Sequence, residues 1–153
     1  MSSPEQLVES IAQRAVDNGL RVVTAESLTS GSIAGRLGAG PNAADWFGGG
    51  VVAYQEPVKF NLLDVDEGPV VTRSCAEQMA SGALRLFQAD VAVSATGVGG
   101  PGPSEGKPAG TVFMTVMTSE KATTHELHLD GEPEEILAQT CDKAIEMLAE
   151  LIV

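Results

Sequence analysis

Residues 22 to 37 change periodicity abruptly, and that change constrains the fold more than any other feature of the chain. An apolar, strand-like run from Arg21 to Ala25 stops at Glu26-Ser27, and helical spacing resumes at Ile33, Ala34 and Leu37. A strand that feeds straight into a helix is the building unit of an α/β fold. Four hydroxyl residues, Ser27, Thr29, Ser30 and Ser32, crowd the expected helix N-terminus. Unpaired N–H groups and the positive end of the helix dipole meet there, which suits an anion or a developing oxyanion. Taken alone, the segment is more simply read as a capped helix, so choosing between a cap and a nucleophile depends on the rest of the chain.

The same alternation continues in both directions. Ser3, Pro4 and Gln6 give a capping box with proline at the first helical position, and Leu7, Ile11, Ala15 and Val16 follow before Asn18-Gly19 ends the helix. The strand at 21–25 and a helix over about 28–38 come next. A second strand, Gly50 to Tyr54, follows the triplet Gly48 to Gly50, which marks a bulge or a close backbone approach. A short apolar turn follows Lys59. A helix is expected over 72–87, with Ser74 and Glu77 in capping-box spacing, and then a strand over 91–95. A Gly/Pro loop at 97–110, a hairpin of strands at 111–117 and 123–129, and a helix from Pro133 almost to Val153 complete the pattern. It predicts a single three-layer α/β/α domain over 1–153 with a mixed, mostly parallel sheet.

With 153 residues and 43% apolar content, the chain can bury a real core in one domain. No stretch approaches the ~20 apolar residues of a membrane span, and the N-terminus lacks the basic-then-apolar order of a signal peptide, so a cytoplasmic protein is expected. Cys75 and Cys141 fall in predicted helices and match no metal spacing, which suits reduced core thiols and no metal. The net charge is −12, and residues 119–153 hold nine Asp or Glu against Lys121 and Lys143. Such a surface disfavours nucleic acid and anionic membranes. An anionic substrate would find few partners, chiefly Arg36, Lys59, Arg73 and Lys107.

The loop Gly97-Val98-Gly99-Gly100-Pro101-Gly102 formally satisfies G-x-G-x-x-G after a strand. A dinucleotide site also needs a helix to follow, which Pro101, Pro103 and Pro108 oppose, and a phosphate-binding P-loop fails at Pro101 and Pro108. What is left is a glycine-rich loop that admits a ligand close to its backbone, or a plain connection. His125 and His128 lie on opposite faces of a predicted strand, so they do not share a metal, and neither is marked as a catalytic base. A serine hydrolase here would need another base, and a lysine serves if burial lowers its pKa. Lys59, just after the second predicted strand, is the candidate, and Tyr54, the sole tyrosine, could hydrogen-bond in the same pocket.

Several segments in order, Thr24-Ala25-Glu26-Ser27, Phe47-Gly48 with Gly50 to Tyr54 and Lys59, Met79 to Ala83, Ala89 to Val93, Thr96 to Pro101 and Lys107 to Val112, resemble the CinA C-terminal domain family. The resemblance covers nearly the whole chain and fits the stand-alone form, without the molybdopterin-binding-like domain of longer members. It implies an amidohydrolase like the nicotinamide mononucleotide deamidases, which release ammonia and nicotinic acid mononucleotide. Ser27 would attack the carboxamide carbon, Lys59 would take its proton, and Tyr54 would orient one of them. N–H groups from Thr29, Ser30 and Gly31 would hold the oxyanion, and Thr96, Gly97, Gly99 and Gly100 would contact the nucleotide. The resemblance implies a small-molecule nucleotide substrate, no cofactor and a homo-oligomer.

Three departures stand out. Leu28-Thr29-Ser30-Gly31 replaces Cys-Thr-Gly-Gly, Ala44 replaces an expected serine, and the family's Gly-Asp-Arg followed by Ile-Arg reads here Gly131-Glu132-Pro133-Glu134-Glu135-Ile136-Leu137. Both arginines are absent. An arginine pairing with a substrate phosphate would contribute about 1.5 to 3 kcal/mol. The alternative to a deamidase is therefore a substrate-divergent or non-catalytic member that binds a nucleotide-like ligand.

Overall fold

The structure, a computed structural model, describes residues 2–153. Helix α1 (Pro4–Asn18) starts as its sequence dictates: Ser3 Oγ accepts from the Gln6 amide at 3.2 Å, and the Gln6 side chain accepts from the Ser3 amide at 2.9 Å. Strand β1 (Val22–Glu26) is buried at every residue, as a central strand covered on both faces must be. Helix α2 (Ser32–Gly38), strand β2 (Phe47–Val52), helices α3 (Glu56–Leu62) and α4 (Arg73–Phe87) and strand β3 (Val91–Gly97) follow. Strands β4 (Thr111–Met117) and β5 (Ala122–His128) form the expected hairpin ahead of helix α5 (Pro133–Leu151).

The sheet order is β2-β1-β3-β4-β5. Strand β1 runs parallel to β2 and β3, whereas β4 is antiparallel to β3 and β5. Successive residues of each inner strand face opposite layers. Val22, Val91 and Val93 pack with Ile11, Ile33, Leu37 and Leu148 of α1, α2 and α5 on one side. Val23 and Ala92 pack with Leu63, Met79, Ala80 and Ala83 beside α3 and α4 on the other. The result is an α/β/α sandwich around a mixed sheet, as the sequence pattern implied. Among the described residues no helix is long and apolar enough to cross a membrane.

Connection β1-α2-β2 covers one face and β2-α3-α4-β3 the other, so the chain reverses its winding at the carboxyl ends of β1 and β3. Open α/β sheets have a natural crevice at such a point. The Ser27 amide donates to the Ala95 carbonyl at 3.1 Å, tying the two strand ends together there.

Four local expectations are corrected. Helix α2 starts at Ser32, not residue 28, because residues 27–30 form a turn closed by the Ser30 amide on the Ser27 carbonyl at 3.1 Å, with Ser30 at φ 51°. Strand β2 spans 47–52, not 50–54. Its register skips Gly48, which is the bulge foreseen, and Tyr54 lies beyond its end. The close approach foreseen falls at Gly50, where a Cβ would stand 2.1 Å from Thr24 Oγ1. The apolar turn after Tyr54 is the helix α3, with Lys59 inside it. Finally, Thr72 rather than Ser74 caps α4, accepting from the Cys75 amide at 3.0 Å, while Glu77 accepts from Thr124 Oγ1 of β5 at 2.9 Å.

Candidate functional site

The N-terminus of α2 is already occupied by an anion from its own chain. Glu26, the last residue of β1, is completely buried, and its two carboxylate oxygens accept from the Ile33 and Ala34 amides, each at 2.9 Å. Thr24 Oγ1 donates to the same carboxylate at 3.1 Å, in the space that Gly50 leaves open. Helix α2 has no acidic residue in its first turn, so Glu26 supplies from the preceding strand the charge that an N-terminal Asp or Glu usually provides. The anion site expected among the hydroxyl residues is thus an internal structural clamp.

Ser27, one residue on, points elsewhere. Together with Tyr54, Lys59 and the stretch Thr96 to Gly100, it lines a cleft of about 300 Å³ at the carboxyl end of the sheet. Ser27 is 7% exposed, and among the described residues its hydroxyl makes no hydrogen bond to protein. Lys59 comes to the cleft from α3 and is 1% exposed. Its Nζ donates to the Tyr54 carbonyl at 3.0 Å. Burial lowers its pKa from the ordinary lysine value, and the negative charge available on Cys75, Glu56 and Glu105 opposes that shift only in part. Lys59 and Ser27 thus line the same cleft without a hydrogen bond between Nζ and Oγ, and a buried lysine with a lowered pKa is a group able to act as a general base toward a serine there.

Tyr54 therefore meets Lys59 through its carbonyl, not its phenol, and the residue is 65% exposed. Gly97, at the end of β3, is fixed by packing: a Cβ there would stand 2.5 Å from the Thr111 carbonyl. Thr96 is buried and its hydroxyl donates to the Val70 carbonyl at 2.8 Å. Thr29, Ser30 and Gly31 do not line the cleft. The Thr29 hydroxyl is wholly buried without a hydrogen-bond partner among the described residues.

Of the four cations considered for an anionic substrate, only Lys59 lines the cleft. Arg36 pairs with Asp142, Arg73 donates to the Thr124 carbonyl at 3.1 Å, and Lys107 lies outside the lining. The segment without arginines nevertheless borders it, since a side chain at Gly100 would come within 3.8 Å of Pro133 Cγ.

Sequence reading missed Glu105, Glu56 and Cys75. Glu105 lines the cleft and accepts from the Val70 and Val71 amides at 2.8 and 2.9 Å, tying the Gly/Pro loop to the segment before α4. No local pattern links residues 35 apart in this way. Cys75 is buried, with its thiol raised to about 11 mainly by burial, partly offset by the charge of Lys59. Glu56 did carry a signal, as an acid at the first position of the helix holding Lys59.

A family model described as the CinA C-terminal domain matches residues 4–152. Protein YdeJ of Escherichia coli is 33% identical, with 97% of this chain and 90% of that protein covered. A CinA-like protein of Mycolicibacterium paratuberculosis is 37% identical over 88% of this chain, which spans only 33% of that longer relative. Among solved structures, a CinA superfamily protein from Klebsiella pneumoniae superposes with a TM-score of 0.93 at 30% identity, covering 99% of this chain and 98% of the other. The competence/damage inducible protein CihA from Agrobacterium tumefaciens gives a TM-score of 0.91 at 35% identity, covering 99% of both chains. With a family model matching residues 4–152 and solved relatives superposing over almost all of it, this chain belongs to the CinA C-terminal domain family.

Proposed function

We propose that this protein is an amidohydrolase that cleaves a pyridine carboxamide to the carboxylic acid and ammonia, the chemistry by which nicotinamide mononucleotide is deamidated to nicotinic acid mononucleotide. The observation that supports this most is that Ser27, whose hydroxyl has no protein partner among the described residues, and the buried Lys59 line one cleft. As a neutral amine Lys59 donates one hydrogen to the Tyr54 carbonyl and keeps its lone pair for the serine proton. Ser27 Oγ attacks the carboxamide carbon while its proton passes to Lys59 Nζ. The tetrahedral intermediate collapses with expulsion of ammonia, protonated by Lys59, and leaves an acyl-serine. Water then attacks the ester carbon, Lys59 again takes the proton, and the acid is released.

The oxyanion needs donors inside the cleft. Gly99 and Gly100 line it, and their amides donate to no main-chain carbonyl among the described residues, so they are better placed than Thr29 to Gly31. Removing such a donor typically costs about 3 to 4 kcal/mol in the transition state.

A second reading, a substrate-divergent or purely ligand-binding protein, is favoured by one observation: among the described residues Lys59 is the one basic side chain lining a cleft that also carries Glu56 and Glu105. Measuring ammonia and carboxylic acid release by the purified protein from nicotinamide mononucleotide and a panel of carboxamides decides between them. Turnover that disappears in Ser27→Ala is expected. Thermal stabilisation by ligand without any turnover supports the second reading, and equal turnover by Ser27→Ala removes Ser27 as nucleophile.

A further inference from the structure

We propose that the cleft selects a carboxamide bearing a positive charge on its ring and no phosphate: an N-substituted pyridinium carboxamide of the nucleoside class rather than the nucleotide class. This rests on the amidohydrolase reading of the same cleft. Three observations support it independently of the reaction. Glu56 and Glu105 both line the cleft, against the single amine of Lys59. Tyr54 also lines it and is 65% exposed as a residue, which leaves its ring available as a face on which a cationic ring can lie. The border where Pro133 meets Gly100 is flanked by Glu132, Glu134 and Glu135, and the whole chain has a net charge of −12.

These groups act in one direction. A phosphate dianion entering the cleft meets the exposed carboxylate of Glu56 and that of Glu105, which is held by the Val70 and Val71 amides, while the one amine lining the cleft among the described residues is buried against the Tyr54 carbonyl. A pyridinium meets the same carboxylates and the tyrosine face with attraction, and the field of an acidic protein raises its local concentration.

The test compares kcat/KM for nicotinamide riboside, nicotinamide mononucleotide and neutral nicotinamide. The riboside is expected to exceed the mononucleotide at least tenfold, about 1.4 kcal/mol, and to exceed nicotinamide. The gap should shrink as salt rises from about 0.1 to 1 M, where the screening length falls from about 10 to 3 Å. Glu56→Gln, at an exposed position, and Pro133→Arg, which adds a cation beside Gly100, should each narrow it. A mononucleotide hydrolysed as well as or better than the riboside, or a gap insensitive to salt and to both substitutions, overturns this inference and leaves the amidohydrolase reading standing. Should no compound be hydrolysed in a Ser27-dependent way, the amidohydrolase reading fails. The dissociation constants of the same three compounds then decide selectivity, with tighter riboside binding supporting it and equal or tighter mononucleotide binding overturning it.

Discussion

Glu26 and Ser27 are neighbours at the end of one buried strand, yet they belong to opposite kinds of polar site. Around Glu26 the hydrogen bonding is closed: two helix amides and one hydroxyl converge on a fully buried carboxylate. Around Ser27 it is open, with a hydroxyl lacking a protein partner among the described residues and a lysine using one donor on a main-chain carbonyl. The first arrangement positions, because a satisfied buried network is rigid. The second can react, because its bonding capacity is left to an incoming molecule. Position in the sequence did not separate the two; completeness of the hydrogen bonding did.

The contrast is broken most severely at Lys59. Lys59→Met should lower kcat/KM at least about 10³-fold, roughly 4 kcal/mol in the transition state, while stability at neutral pH stays the same or rises. The pH dependence carries the sign of that second effect. Because the folded pKa of Lys59 lies below the ordinary 10.5, the unfolded chain holds this proton more tightly. The stability linked to the group is full above about 10.5 and is lost as pH falls to the folded value. Activity should rise with pH over the approach to that folded value, and denaturation curves for Lys59→Met should lack the Lys59 component.

Glu26→Ala tests the closed side. Leaving the buried Ile33 amide and the part-buried Ala34 amide without a partner should cost about 3 kcal/mol of stability in chemical denaturation. A loss no larger than that of an exposed substitution would deny the clamp. The smallest effect is expected at Thr29, whose buried hydroxyl has no partner. Thr29→Val should change stability by less than about 1 kcal/mol, and a larger loss would reveal a bond that the hydroxyl makes.

How legible these sites were follows from the range of the interactions that make them. Helix α1, the hairpin and the sandwich could be read because capping and apolar periodicity act over a few residues, as at Ser3 and Gln6. Ser27 and Lys59 were marked by local signals, a strand-to-helix turn and a lysine after a strand, but those signals alone read as a cap and a loop lysine, and their proposed roles came from the resemblance of the whole pattern. The start of α2 was misplaced because four hydroxyl residues imitate a cap while the stabilising acid lies upstream at Glu26. Tyr54 was expected to act through its phenol, but sequence does not reveal that a main-chain carbonyl holds the lysine. Glu105 was invisible because its contacts to Val70 and Val71 are made by the fold alone.

Peptide mass spectrometry of the protein, acid-quenched while it turns over its best carboxamide, tests the central claim most directly. An acyl group on the peptide carrying Ser27, absent in Ser27→Ala, is the expected result. Sustained turnover with Ser27 unmodified, or an acyl group on Cys75 or any other residue, would contradict it.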